Sequence, residues 1–338
     1  MDYLLQRTNL SMLAVTQLGL YPDVSCTYVD LWNVDQTADT ISRFQPNIIF
    51  CSATLQPWMV IAKLPKPFFE KLYQVQLGPW LPLHLTPLYK LMQAVQQTGL
   101  APKVINASYP DVVNPVLSKA GLAPTTGIGD LANNVPALRK SIALKLDQPL
   151  ERVEVRFVAQ HQLSHRISRW GTSGGMPFHL TALINGQNMT HLLDMETIFE
   201  LLPTKFKRLG GTPGYFMTAA SAVTIFEPMV NNTGTITHAP GPNGLPGGYP
   251  VQVSEKGVEV ILPDDITIEQ AIELNEDSQR FDGIEKIDEN GTVYFTDKGM
   301  SILRETLGYE CKQMPISETE ERAKELRAKY LEFARKYL

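Results

Sequence analysis

A chain of 338 residues, 43% hydrophobic and 19% charged, is long enough to bury one large core or two moderate ones. The formal net charge of -5 argues against a basic nucleic-acid footprint, and no apolar run approaches the roughly 18 residues of a membrane span. Cys26, Cys51 and Cys311 are few and far apart, which suggests neither a disulfide framework nor a CxxC metal site. The start, Met1-Asp2-Tyr3-Leu4-Leu5-Gln6-Arg7, lacks the charged opening and apolar stretch of a signal peptide. These features predict a cytoplasmic globular protein with no nucleic-acid or membrane partner.

In chain order, residues 1 to 23 predict a helix that leads into a turn at Tyr21-Pro22-Asp23. Val24 to Trp32 alternates enough for a strand, and Asp35 to Phe44 predicts a short helix. Asn47 to Cys51 is a continuous apolar run between a proline and small residues, the pattern of a strand buried on both faces. Gln56 to Pro82 holds Trp58, Trp80 and five prolines, which predicts a structured loop with one helix around Phe68 to Val75. Helical spacing of apolar residues follows from Thr86 to Thr98. Lys103 to Ile105 is a short strand that stops at Asn106, and Pro110 to Ala120 a helix that ends at Gly121. After the compact turn Thr126 to Asp130, a helical segment carries Asn133, Asn134 and Arg139, and the β-branched strand Val153 to Val158 runs to His161. This strand–helix alternation implies parallel pairing with right-handed crossovers. Ligands of open α/β sheets sit beyond the carboxyl ends of the strands, so Asn106, Asn134 and His161 are expected to face one cleft.

Beyond His165 the texture changes. Gly171 to Pro177 is glycine-rich, Thr181 to Asn185 predicts a strand, and Glu196 to Phe206 and Tyr215 to Met229 predict helices. Asn231 to Tyr249, rich in Gly and Pro, reads as a loop. Val251 to Val253 and Val258 to Leu262 form a hairpin about Glu255-Lys256-Gly257, followed by a helix from Ile268 to Asp277 and a short strand from Gly291 to Phe295. Glu318 to Leu338 is a charged amphipathic helix whose charges read as a solvated face.

The order of these features resembles the lactate/malate dehydrogenase superfamily. Ile49-Phe50-Cys51-Ser52-Ala53 matches its fourth Rossmann strand and Val104-Ile105-Asn106-Ala107 its fifth. Gly121 closes the next helix, Gly127-Ile128-Gly129 opens the one after, and Arg139 lies ten residues beyond Gly129. Gly248 to Val260 and the helix Ile268 to Ser278 look like the family's substrate-domain signature. The resemblance covers about residues 24 to 285. It implies an α/β fold. Residues 1–126 would form a partial Rossmann-like dinucleotide-binding domain with a mostly parallel sheet, and residues 127–310 an α+β substrate domain. Residues 311–338 would be a C-terminal amphipathic helix. It also implies NAD or NADP as cofactor, contacted by Ser52, Ala53 and Asn106, a small-molecule substrate, and a homo-oligomer. The related NAD-dependent family 4 glycosidases are echoed by Asn114-Pro115, Gly127 to Asp130 and Gln160-His161. Their metal-binding cysteine corresponds to Gly129 here, which speaks against a thiolate metal site.

Two departures matter. Residues 1 to 30 supply no G-x-G-x-x-G turn; Gly19 stands alone. Either the chain begins after that unit, or it does not bind a dinucleotide in the usual way. In the resemblance His161 aligns with the catalytic histidine, but Asn134 stands where the orienting aspartate is expected and Ala137 where the carboxylate-binding arginine is. Losing that bidentate guanidinium removes the usual grip on a simple 2-hydroxy acid.

His161 is therefore the expected acid/base, oriented by Asn134, with a buried structural histidine as the alternative. Asn106 can contact substrate or nicotinamide, or merely cap a turn. Trp80 and His84 can line an apolar substrate pocket or brace a proline-rich cap. Arg166 and Arg169 can bind an anionic group or remain solvated. His165 puts a second imidazole on the face of His161, but two histidines fall short of the three protein ligands of a catalytic zinc, so no metal is expected. The function implied is an NAD(P)-dependent oxidoreductase acting on a hydroxyl or carbonyl carbon. An NAD- and metal-dependent glycosidase-like enzyme and a non-catalytic binding subunit are the alternatives.

Overall fold

The structure is a computed structural model that describes residues 2–338. It opens with helix α1 (Asp2–Gln17), none of whose residues is buried. Residues 18–33 form no strand, although Val24 to Trp32 alternates. Val24 and Tyr28 are exposed there, and no neighbouring strand completes a ladder, which an extended segment needs for stability. Helix α2 (Val34–Phe44) starts where the Asn33 side chain accepts a hydrogen bond from Gln36 N. Then follow β1 (Ile48–Cys51), α3 (Lys66–Tyr73), α4 (Leu81–Thr98), β2 (Lys103–Asn106), α5 (Pro110–Lys119) and β3 (Thr126–Gly127). The three strands form a parallel sheet in the order β1-β2-β3. Phe50 is exposed and meets Phe226 edge-on at 5.3 Å, so β1 is not buried on both faces.

Parallel pairing ends at β3. Helix α6 (Val135–Lys145) leads to β4 (Val153–Val158), which pairs antiparallel with β5 (His179–Ile184), not with the first sheet. Helix α7 (His161–Trp170) lies between them, capped by the Gln160 side chain and ended by Gly171 in the left-handed region. After β6 (Gln187–Asn188), α8 (Met195–Glu200) and α9 (Tyr215–Asn231), a second antiparallel sheet is made by β7 (Thr235–Pro240), β8 (Gly248–Ser254) and β9 (Gly257–Val260). Strand β7 occupies part of the segment expected as a loop; its threonines and closing proline hide it, and it is defined by pairing along β8. A bridge between Ala159 and Gly248 ties the end of β4 to this sheet.

Helix α10 (Ile268–Ser278) begins with a capping box of Thr267 and Gln270. The chain closes with β10 (Ile284–Ile287), β11 (Val293–Phe295), α11 (Asp297–Leu307), β12 (Gln313–Met314) and α12 (Thr319–Ala334). This last part packs on the first: Leu303, Leu326 and Tyr330 share one apolar cluster with Trp80, Leu88 and Val112. Helix α12 thus has a buried face opposite its charges, with Tyr330 edge-on to Trp80 at 5.8 Å. A second cluster joins α6, β4, α7, β5 and α8, and a third joins α9 to β7, β8 and β9.

The crossing that matters for the site is between residues 75–79 and 282–283. A Cβ on Gly78 would lie 2.4 Å from the Asp282 carbonyl oxygen, and one on Gly283, at φ +89°, 2.7 Å from Pro79. Only glycine lets these backbones approach so closely. Gly78→Ala is expected to cost roughly 1–3 kcal/mol through overpacking, read as a lower urea midpoint at unchanged slope. A midpoint equal to that of the parent chain would mean this crossing is loose.

Candidate active site

The site is built around Asp282, a fully buried carboxylate at the end of a short helical turn (Gln279–Asp282) before β10. Its Oδ2 accepts from His161 Nδ1 at 2.8 Å, the Tyr109 hydroxyl at 2.5 Å and Gln160 Nε2 at 3.3 Å. Oδ1 accepts from Leu77 N at 3.3 Å. Burial alone would raise the Asp282 carboxyl, but His161 and these donors outweigh it and hold it below the ordinary value. A carboxylate can only accept, so Nδ1 of His161 carries a proton and Nε2 is the end of the ring turned away from Asp282. His161 is itself buried at the first turn of α7. That burial opposes its charge, yet Asp282 and then Asp130 overcome it and lift its pKa to about 9.

Around Nε2 lie two further groups. His165, one turn along α7, brings its Nε2 to 3.0 Å from His161 Nε2, with its ring open to solvent. Asp130 places Oδ1 3.9 Å from the same atom. Its reach depends on an unusual turn: Gly129 adopts φ 85°, ψ -143°, its N–H donates to Ser221 Oγ, and Asp130 has φ 46°. Behind Asp130 stands Asp111, fully buried, with no donor to either oxygen. As a carboxylate it would be orphaned. Burial first, and the neighbouring Asp130 second, raise its pKa far enough to keep it an acid that can donate to Asp130. Burial and then the neighbouring His161 charge bring the buried His84 down to about 4, and the same charge acts in the same direction on the exposed His165. The cluster concentrates its positive charge on one imidazole.

The other residues singled out from sequence fall into two groups. His84 belongs to the cluster, its Nδ1 2.9 Å from Ser108 Oγ and its ring 6.1 Å from that of Tyr109, which in turn lies 5.1 Å from the His161 ring. Asn134 is fully buried beside α7, but it does not orient His161. Its amide donates to Ser164 O, and its oxygen accepts from Arg208 at 2.7 Å. Asp282 takes the orienting place. Asn106 is also fully buried, with its amide spent: it donates to Ser108 O and Asn114 Oδ1 and accepts from Ser108 N. A contact through its amide N–H groups would break one of these bonds. Trp80 is sealed in the first apolar cluster and lines no cleft. Arg166 lies over the Trp170 ring at 5.5 Å and against Gly174, and Arg169 lies over the Tyr73 ring at 4.9 Å. Ser52, exposed, and Ala53, half-buried, follow β1.

Sequence reading missed Asp282, Tyr109, Asp111 and Arg208, and gave Asp130 no role. For Asp130 a signal existed, an acid directly after a Gly-x-Gly turn. For Asp282 none did, since it is 121 residues from its partner. Gly129 meets Thr218 and Ser221, with no cysteine at the turn.

The His161 value sets a sign. Its folded pKa lies above the ordinary 6.5, so the ion pair's stabilisation is complete below about pH 6.5 and is lost as pH rises through about 9. Imidazole NMR is expected to show His161 titrating near 9 and urea stability to decline over that window, with both features absent in Asp282→Asn. A midpoint near 6.5 in the parent chain would mean that no ionised carboxylate stands beside the ring.

No known protein family matches the sequence, and no curated protein does. Among solved structures the chain is similar to lactate and malate dehydrogenases at low identity. A lactate dehydrogenase from a Medee basin deep-sea metagenome library is 14% identical, with 80% of this chain and 83% of that one covered and a TM-score of 0.46. Malate dehydrogenase from Aeropyrum pernix is 12% identical over 80% and 82%, with a TM-score of 0.48. Cryptosporidium parvum lactate dehydrogenase, solved with lactic acid and nicotinamide adenine dinucleotide, is 18% identical over 73% and 78%, with a TM-score of 0.45.

Proposed function

We propose that the chain is an oxidoreductase of the malate/lactate dehydrogenase-like type, acting at a hydroxyl or carbonyl carbon with NAD or NADP as hydride partner. The observation that carries this reading is the buried Asp282–His161 pair, with Nε2 turned toward the side that His165 leaves open to solvent. Asp282 fixes the ring's orientation and favours its charged form; Tyr109 and Gln160 fix Asp282. His161 is protonated at neutral pH and so stands ready to give its Nε2 proton to a carbonyl oxygen as that carbon is reduced. In the reverse direction it would take the proton of the alcohol.

Among the described residues no strand precedes Gly19, which has open space around it, and no glycine-rich turn leads into a helix beside β1. The proton transfer is accordingly the part of the reaction that these side chains carry. The substrate's place is bounded by His161, His165 and Asp130. Arg208, whose guanidinium donates to Asn133 O and Asn134 Oδ1, brings a positive charge near His165.

Two measurements test this reading. NADH and NADPH fluorescence titrations are expected to show binding of one of the two. Against a panel of carbonyl substrates, His161→Gln is expected to lower turnover by roughly 10²–10⁴-fold with cofactor affinity unchanged. A variant that keeps its rate would place the acid/base elsewhere, and the lack of any fluorescence change would remove the nicotinamide from the proposal.

A further inference from the structure

We infer that Asp130 Oδ1, His161 Nε2 and His165 Nε2 form a binding site for a divalent transition-metal ion, and that an ion bound there excludes the proton His161 would exchange. The three atoms lie within 4.8 Å of one another. The two imidazole nitrogens face each other at 3.0 Å, and the carboxylate oxygen is 3.9 Å from His161. Metal–ligand bonds of about 2.0–2.2 Å set neighbouring ligand atoms roughly 3–3.5 Å apart. The imidazole pair already has that spacing, and Asp130 closes the set by a small rotation of its side chain.

Three further features favour a cation. His161 Nδ1 is fixed by Asp282, the carboxylate–histidine–metal relay that sets tautomer and ring orientation around bound metals. Among the described residues no lysine or arginine pairs with Asp130, so its carboxylate is available to an ion. The exposed ring of His165 supplies an entry path and leaves coordination positions open on the solvent side. Two imidazoles and one carboxylate suit zinc, cobalt, iron or manganese better than calcium or magnesium, which prefer oxygen ligands. The third ligand, which the pattern of two histidines lacks in sequence, comes from the turn after Gly129. Exclusion follows from valence: the Nε2 lone pair that coordinates an ion cannot hold a proton at the same time.

Binding stands independently of the proposed activity, whereas exclusion rests on it, and the experiment separates the two. Cobalt(II) titrated into the metal-stripped chain is expected to give visible d–d absorption that saturates at one equivalent and is displaced by zinc. His165→Ala and Asp130→Asn should each weaken cobalt binding at least tenfold, with circular dichroism confirming that both variants are folded. No absorption change with the parent chain, or equal cobalt affinity in the folded variants, overturns the site. In the carbonyl-reduction assay, zinc is expected to abolish turnover and a chelator to restore it. Saturating cobalt or zinc with turnover unchanged would overturn the exclusion and the role of His161 as proton carrier, while leaving the ion site in place.

Discussion

A carboxylate with no access to water has to be held by donors, and much of this molecule's organisation serves to bring donors to Asp282. They come from far along the chain: the Leu77 amide, the Tyr109 hydroxyl, and Gln160 and His161 around the start of α7. Leu77 and Tyr109 belong to the cluster that joins the parallel sheet to the C-terminal strands and helices, whereas α7 packs in the second cluster. The ion pair is therefore also a joint between two cores. A buried pair contributes little net stability when complete, but deleting one partner typically costs about 3–5 kcal/mol because the other charge is left unpaired. Its effect is on register: the molecule is penalised for any arrangement in which 282 and 161 fail to meet. Gly78 and Gly283 give that meeting its room.

The pair also settles the charge states nearby. Two imidazoles, His84 and His161, two carboxyl groups, Asp111 and Asp282, and the Tyr109 phenol share one interior with Asp130 and His165 at its edge, and the buried groups cannot all ionise in a medium of low polarity. Asp282 stabilises the positive charge on His161. That charge then lowers His165 and His84, and Asp111 is held as a neutral acid. Tyr109, hydrogen-bonded to a carboxylate in a buried place, is pushed well up and stays a phenol donor. One dominant interaction thus fixes which group is charged, which donates and which accepts.

How much of this is written in the sequence depends on distance along the chain. Strands such as Val153–Val158 and helices such as Pro110–Lys119 are legible because periodicity and capping are local properties. His161 and His165 are legible as a pair because they are one helical turn apart. What is not legible is non-local. Val24 to Trp32 has strand-like alternation but no partner, and Thr235 to Pro240 has a partner but little alternation. Asn106, at a strand end, invites a binding role, yet its amide is absorbed by Ser108 and Asn114 close by. Asn134 sits where the dehydrogenase resemblance expects the orienting acid, but the acid is supplied from residue 282, and Asn134 braces Ser164 instead.

The layout also decides from which side anything can approach. Behind His161 stand Tyr109, Gln160 and Asp282, each buried, so that flank admits no substrate atom. Nδ1 faces into it and is committed to Asp282. Nε2 faces Asp130, half-buried, and His165, exposed, so of the two His161 nitrogens it is the one with an opening beside it. A proton and any Lewis acid therefore compete for one lone pair, and a carbonyl oxygen can approach only the proton held there. That is why the charge on His161, rather than the size of any cavity, determines what this site can do: while Nε2 holds a proton it can donate to an electron-rich oxygen, and once that proton is gone it becomes a ligand or a base.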